Sequence, residues 1–149
     1  MTDPQLSPAI QRIAASPTTA MTDRATQLRG QGRDIISLSV GEPDFRPPAH
    51  VLDAAAAALM AGDTRYTPVA GTAALRAAAA LHFRRDLGIA AEAADVIVTA
   101  GGKQALFEAL AVTLGEGDEV IVPAPWWVSY PQMVRFCGAT VVPLECPAG

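Results

Sequence analysis

Short apolar, β-prone runs alternating with helical patterns constrain this chain more than any other feature of its sequence. Residues 96–99, 120–122 and 140–144 read as strands, and residues 103–114 and 127–136 between them read as helices. Gly115-Glu116-Gly117-Asp118 supplies a turn after the first of these helices. The alternation predicts an α/β fold with a mostly parallel sheet and helices on both faces, because parallel strands need cover on each side. Residues 140–144 would be left with an unpaired strand edge. The 149 residues are therefore expected to be part of an incomplete domain.

Ahead of this region the signals are mainly helical. Residues 1–17 carry Pro4, Pro8 and Pro17 and little periodicity, the pattern of an arm with one short turn at most. A helix is predicted over residues 19–31, with Met21, Ala25 and Leu28 on one face and Gly32 ending it. Residues 35–40 read as a short strand or extended segment, and Gly41-Glu42-Pro43-Asp44-Phe45 as a loop. Pro47 and Pro48 suit the start of a helix running to Ala61, since a proline there removes no needed hydrogen bond. After a loop from Tyr66 to Gly71, Thr72 is the expected N-cap of a helix ending at Leu87. Leu75, Ala79 and Phe83 are expected to face inward there, with Gly88 as the cap.

Composition removes several classes of function. Half the chain is apolar, enough to bury a core, although the alanine runs at 54–58 and 77–80 add little bulk. The net charge of −4 comes without any long block of one sign, so nucleic acid and anionic membranes are not expected partners. No run is long and apolar enough for a membrane helix, and the start lacks a basic-then-apolar leader pattern. Cys137 and Cys146 read as free thiols of a reducing cytoplasm, and with only His50 and His82 beside them no metal site is expected.

The strongest chemical signal is Val98-Thr99-Ala100-Gly101-Gly102-Lys103-Gln104, where a strand passes through two glycines into a helix. The opening N–H groups of a helix lie outside its ladder and at the positive end of its dipole. Glycine lets an anion come close to them, which makes a phosphate cradle. A plain strand-to-helix turn is the alternative. A nucleotide P-loop is excluded, because Ile97 stands where its first glycine should be and Gln104 where its Ser or Thr should be. The dinucleotide pattern Gly-x-Gly-x-x-Gly is absent. Lys103, the chain's one lysine, stands at the start of that helix and suits an anion contact there better than a Schiff base. Trp126-Trp127 follows a strand, at the sheet edge where α/β folds bind ligands. An indole there either stacks on an aromatic ring or packs in the core. Gly41 is able to offer an unobstructed N–H to a carboxylate or merely to form a turn. Tyr66 is a loop phenol suited to a phosphate or to packing.

Read together, four clusters carry a resemblance. They are residues 39–45, Arg65-Tyr66-Thr67-Pro68 with Gly71, residues 101–106, and Pro125-Trp126-Trp127-Val128-Ser129-Tyr130-Pro131. In order and spacing they resemble class I aminotransferases that use pyridoxal 5'-phosphate, most closely the bacterial aspartate and aspartate/prephenate branch. The resemblance implies the fold type I architecture, with residues 1–45 forming an arm and part of a small domain and residues 46–149 the first part of a large cofactor domain. It implies that Gly102, Lys103 and Gln104 hold the cofactor phosphate. Trp127 would lie on the pyridine ring and help bind an acidic substrate side chain, and Gly41 would meet a substrate carboxylate. Tyr66 would reach the phosphate of the neighbouring subunit in a homodimer. Amino acid and 2-oxo acid are the implied substrates. The Schiff-base lysine and the α-carboxylate arginine would lie beyond Gly149, so the chain alone is expected to be inactive. Departures from the pattern are Ala14-Ala15 before Ser16-Pro17, Ser39-Val40 before Gly41, and Arg46 after Asp44-Phe45. Two other readings are a non-catalytic module binding a phosphorylated ligand and a non-functional fragment.

Overall fold

The computed structural model describes residues 5–147. Its helices are α1 (Pro8–Gln11), α2 (Pro17–Gly30), α3 (Ala49–Met60), α4 (Ala73–Leu87), α5 (Gly102–Thr113) and α6 (Ser129–Phe136), and its strands are β1 (Glu119–Ala124) and β2 (Thr140–Glu145). Two compact units emerge: Pro43–Ala105 is one, and the chain up to Glu42 together with that from Leu106 onward is the other.

The unit containing the sheet is a β1–α6–β2 crossover. The strands pair in parallel from Glu119 opposite Thr140 to Ala124 opposite Glu145. Bonds from Thr140 N–H to the Asp118 carbonyl (2.8 Å) and from Cys146 N–H to that of Ala124 (3.3 Å) close the two ends. A parallel pair needs a crossover element, and α6 supplies it. Pro131, Met133 and Val134 of α6 are buried, as are Val122 of β1 and Ala139, and this cluster is the unit's core. Phe107 of α5 meets Phe136 of α6 edge-to-face at 5.4 Å.

Helix starts in the amino-terminal segment follow capping chemistry. Ser7 and Ser16 each accept the N–H three residues on, from Ile10 and Thr19, with a proline in the first turn. The arm is tied down by Arg12 on Glu116 (2.8 Å) and by Ala14 N–H donating to Gln132 Oε1 (3.0 Å). Residues 35–40 are extended but form no ladder. Ile35, Ser37 and Ser39 are half-buried while Ile36, Leu38 and Val40 are exposed, the period of two expected of extended chain. Ser39 lies 3.2 Å from Thr22 of α2, hydroxyl to hydroxyl.

The other unit holds α3, α4 and the segment that delivers the glycine turn. Pro48 is the N-cap of α3, one position earlier than the first-turn place assigned to it. Thr72 caps α4 by accepting Leu75 N–H, and Gly88 closes it in the left-handed region. The inward face of α4 differs from expectation. Leu75 is half exposed, while Arg76, Ala79 and Phe83 are half-buried around the buried Ala80. An arginine takes the place foreseen for a leucine because it has backbone carbonyls to bind.

Two further expectations are corrected. Residues 96–99 are extended but not a strand, so among the described residues the sheet has two strands rather than three. Along this segment the Val98 N–H goes to the loop carbonyl of Ala70 (3.0 Å) and the Val96 carbonyl to Arg76 Nε (2.8 Å), where a ladder partner would have stood. Trp127 and Val128 precede α6 instead of opening it. Tyr130 N–H closes a turn onto the Trp127 carbonyl (3.1 Å) before the helix proceeds.

Candidate functional site

The glycine turn is built from its own side chains. Gly101 N–H donates to the Thr99 carbonyl (2.8 Å), and Thr99 Oγ1 donates to the Gly101 carbonyl (3.0 Å). From the helix side Gln104 Oε1 accepts Ala100 N–H (2.8 Å). The ladder of α5 opens with Ala105 N–H on the Gly101 carbonyl (3.3 Å). Gln104 therefore has a shaping role in the turn through its side-chain oxygen.

Gly101 has φ of +89°, which by itself favours glycine. Gly102 differs: its φ is not positive, and a Cβ placed on it would meet nothing within 4 Å. Neither backbone conformation nor packing within the chain calls for glycine at 102. What the missing side chain provides is open approach to the first amide of α5, as an anion requires. Lys103 is exposed at the second position of the same helix. These residues fit a phosphate group.

In the same unit Tyr66 is fully exposed and, with Thr64 and Arg65, lines an open hollow of about 620 Å³. A packing role for this ring is thus excluded within the unit. Its loop continues through Ala70 and Gly71, which hold Val98 and so connect the Tyr66 loop to the segment entering the glycine turn. Trp127 belongs to the sheet unit, where it follows the carboxyl end of β1 and is 48% exposed, while Trp126 is half-buried. The Ala124–Pro125 peptide before it is cis. Gly41 lies in that unit too, exposed, with open space where a Cβ would stand. The structure thus joins Tyr66 with Gly102, Lys103 and Gln104 in one unit and sets Gly41 and Trp127 in the other. Sequence reasoning did not single out Arg76, gave Thr99 no role of its own within the glycine motif, and named Gly71 only as part of the Tyr66 cluster. An arginine inside an alanine-rich helix resembles any solvated charge, and only the glycine before a threonine N-cap hinted at a constrained turn.

With its parallel β1–α6–β2 crossover and glycine-opened helix, the chain shares its fold with solved aspartate aminotransferases, which belong to the fold type I enzymes dependent on pyridoxal phosphate. The chain belongs to the aminotransferase class I and II family, whose model matches residues 33–148. It is 50% identical over 140 residues to an aspartate/prephenate aminotransferase of Thermus thermophilus, covering 94% of this chain and 36% of that protein. An aspartate aminotransferase of Geobacillus stearothermophilus is 45% identical over 141 residues, covering 95% and 36%. Among solved structures, aspartate aminotransferase from Thermus thermophilus with maleate superposes with a TM-score of 0.89 at 49% identity, covering 95% of this chain and 37% of that one. Aspartate aminotransferase from Rhizobium meliloti gives 0.90 at 38% identity, covering 96% and 36%. The chain spans just over a third of the length of these relatives. Pyridoxal phosphate is the cofactor of the family.

Proposed function

We propose that this segment forms the phosphate-holding part of an aminotransferase that, as a complete protein, moves an amino group from an L-amino acid, aspartate-like or aromatic, to a 2-oxo acid. The open backbone at Gly102 carries the reading, since nothing among the described residues accounts for that glycine and a bound phosphate does. Gly102 and Lys103 would hold the phosphate at the start of α5, with Gln104 and Thr99 fixing the turn. Tyr66, which packs on nothing in its own unit, would contact the phosphate of a second subunit in a homodimer. The half-exposed indole of Trp127 would lie against the pyridine ring, and Gly41 would donate its N–H to a substrate carboxylate. When bound, the cofactor supplies an electron sink at the substrate's α-carbon, and the protein supplies position and electrostatics. A dicarboxylate substrate is supported by the solved relative containing maleate, itself a dicarboxylate.

Residues 1–45 would form the arm and part of the small domain, and residues 46–149 would open the large domain. No described helix is long and apolar enough to cross a membrane, and we place the complete enzyme in the cytoplasm. The test is Gly102→Val in the complete protein. A branched side chain over the first amide of α5 should weaken pyridoxal phosphate binding by about tenfold or more, equivalent to ~1.4 kcal/mol, in an absorbance titration. Unchanged affinity would overturn the placement of the phosphate.

A further inference from the structure

The turn at Gly101-Gly102 is only as well placed as the extended segment that leads into it, and among the described residues no strand pairs with that segment. Three backbone groups, one in the 3-10 turn Ala93–Asp95 just ahead of it and two in the segment itself, are claimed by one short stretch of chain. Arg76 Nη2 donates to the Ala94 carbonyl (3.3 Å) and Arg76 Nε to the Val96 carbonyl (2.8 Å). Val98 N–H donates to the Ala70 carbonyl (3.0 Å). Residues 70–76 thus act where a neighbouring strand would. Arg76 is itself anchored: it lies in the first turn of α4, half-buried, with its N–H on the Thr72 carbonyl (3.0 Å). A guanidinium presents its donors in a rigid planar fork, which suits two carbonyls two residues apart, one in the 3-10 turn and one just after it, better than the single point of a lysine ammonium. Val96 is buried, so the segment is also fixed by packing at the point where Arg76 grips it.

We infer that Arg76 is a positioning residue for the cofactor phosphate: by holding the carbonyls of Ala94 and Val96 it sets where Thr99, Gly101 and the first amide of α5 stand. It acts through the backbone and does not touch the cofactor. The inference rests on the reading of Gly102 as the phosphate site, and it predicts a defect specific to the phosphate end of the ligand.

The experiment compares pyridoxal phosphate with pyridoxal, which lacks the phosphate, in absorbance titrations of the cofactor-stripped complete protein. Wild type, Arg76→Gln, Arg76→Lys and Gly102→Val are compared, each with its melting temperature without cofactor. Arg76→Gln should weaken pyridoxal phosphate by about tenfold or more while pyridoxal stays within about twofold. Arg76→Lys, which keeps the charge but reaches a single carbonyl, should fall between wild type and Arg76→Gln. It carries the test should the glutamine variant fail to fold. A parallel loss for both ligands, tracking the melting temperature, would reduce Arg76 to a structural residue and overturn the inference. So would an unchanged phosphate preference in the Arg76 variants alongside its loss in Gly102→Val, with the phosphate site itself left standing. A wild-type protein with no preference for the phosphorylated ligand would overturn the site and the role of Arg76 together.

Discussion

A methyl group added at Gly71 would lie 2.6 Å from Val98 Cγ2 and 2.8 Å from Val98 Cβ, and the residue's φ is +98°. Backbone and packing therefore both demand glycine there. Gly71→Ala should cost roughly 1–3 kcal/mol from the backbone alone, with the displacement of Val98 adding a comparable amount. The control is Gly62→Ala, at φ +80° with nothing within 4 Å, which should show the backbone cost only. Urea unfolding of the two variants of the complete protein checks the difference, and equal losses would mean that Val98 yields without penalty. At this scale the sequence was readable where a residue type has few structural uses. Gly101-Gly102 before a helix and Thr72 as an N-cap were both visible in advance. Arg76 and Thr99 were not, because their partners are main-chain groups made available only by the fold.

Among the elements, helices were the more legible because their boundaries are local chemistry. Apolar periodicity, the Thr72 cap, the prolines ahead of α3 and the glycines beyond α2 and α4 brought α2, α3, α4 and α5 within a residue or two of their predicted limits. The segment at 96–99 was misread for the opposite reason. Its apolar pattern is that of a strand, but whether it joins a ladder depends on a loop and an arginine elsewhere in the chain. The end of α4 allows a prediction on pH. Asp86 accepts from Arg85 (2.6 Å) and approaches His82 Nδ1 (2.6 Å). The hydrogen bond from Arg85 is the larger influence holding the Asp86 carboxyl below its usual range; burial opposes it and His82 assists. A folded-state pKa below the unfolded one gives stability that is present above the ordinary carboxylate range and is lost as pH falls through the lowered value. The difference in melting temperature between wild type and Asp86→Asn should therefore hold at neutral pH and vanish in acid below that range. It should also shrink in high salt, because the group is near the surface. A gap that widened on acidification would contradict the assignment.

For the molecule as a whole, family membership was legible in four ordered motifs, whereas sheet composition was not, since strand order depends on contacts distant in sequence. The described surface carries many large apolar side chains. Ile121 of β1 is 66% exposed, Leu38 93% and Met60 87%. Exposure of large apolar side chains of this kind favours self-association. The purified 149-residue chain should elute as aggregates in size-exclusion chromatography and show no transamination with added cofactor. A monodisperse monomer with a cooperative melt, or measurable turnover, would contradict this. The parallel pairing of β1 with β2 also matters during synthesis. Such a pair gains little until both its faces are roofed, and the amino-terminal portion leaves the ribosome first. If the protein continues as its relatives do, this stretch would wait on the order of ten seconds or more, at translation speeds of about 5–20 residues per second, before the rest arrives. During that interval a nascent-chain chaperone would find its binding surface in the still uncovered strands.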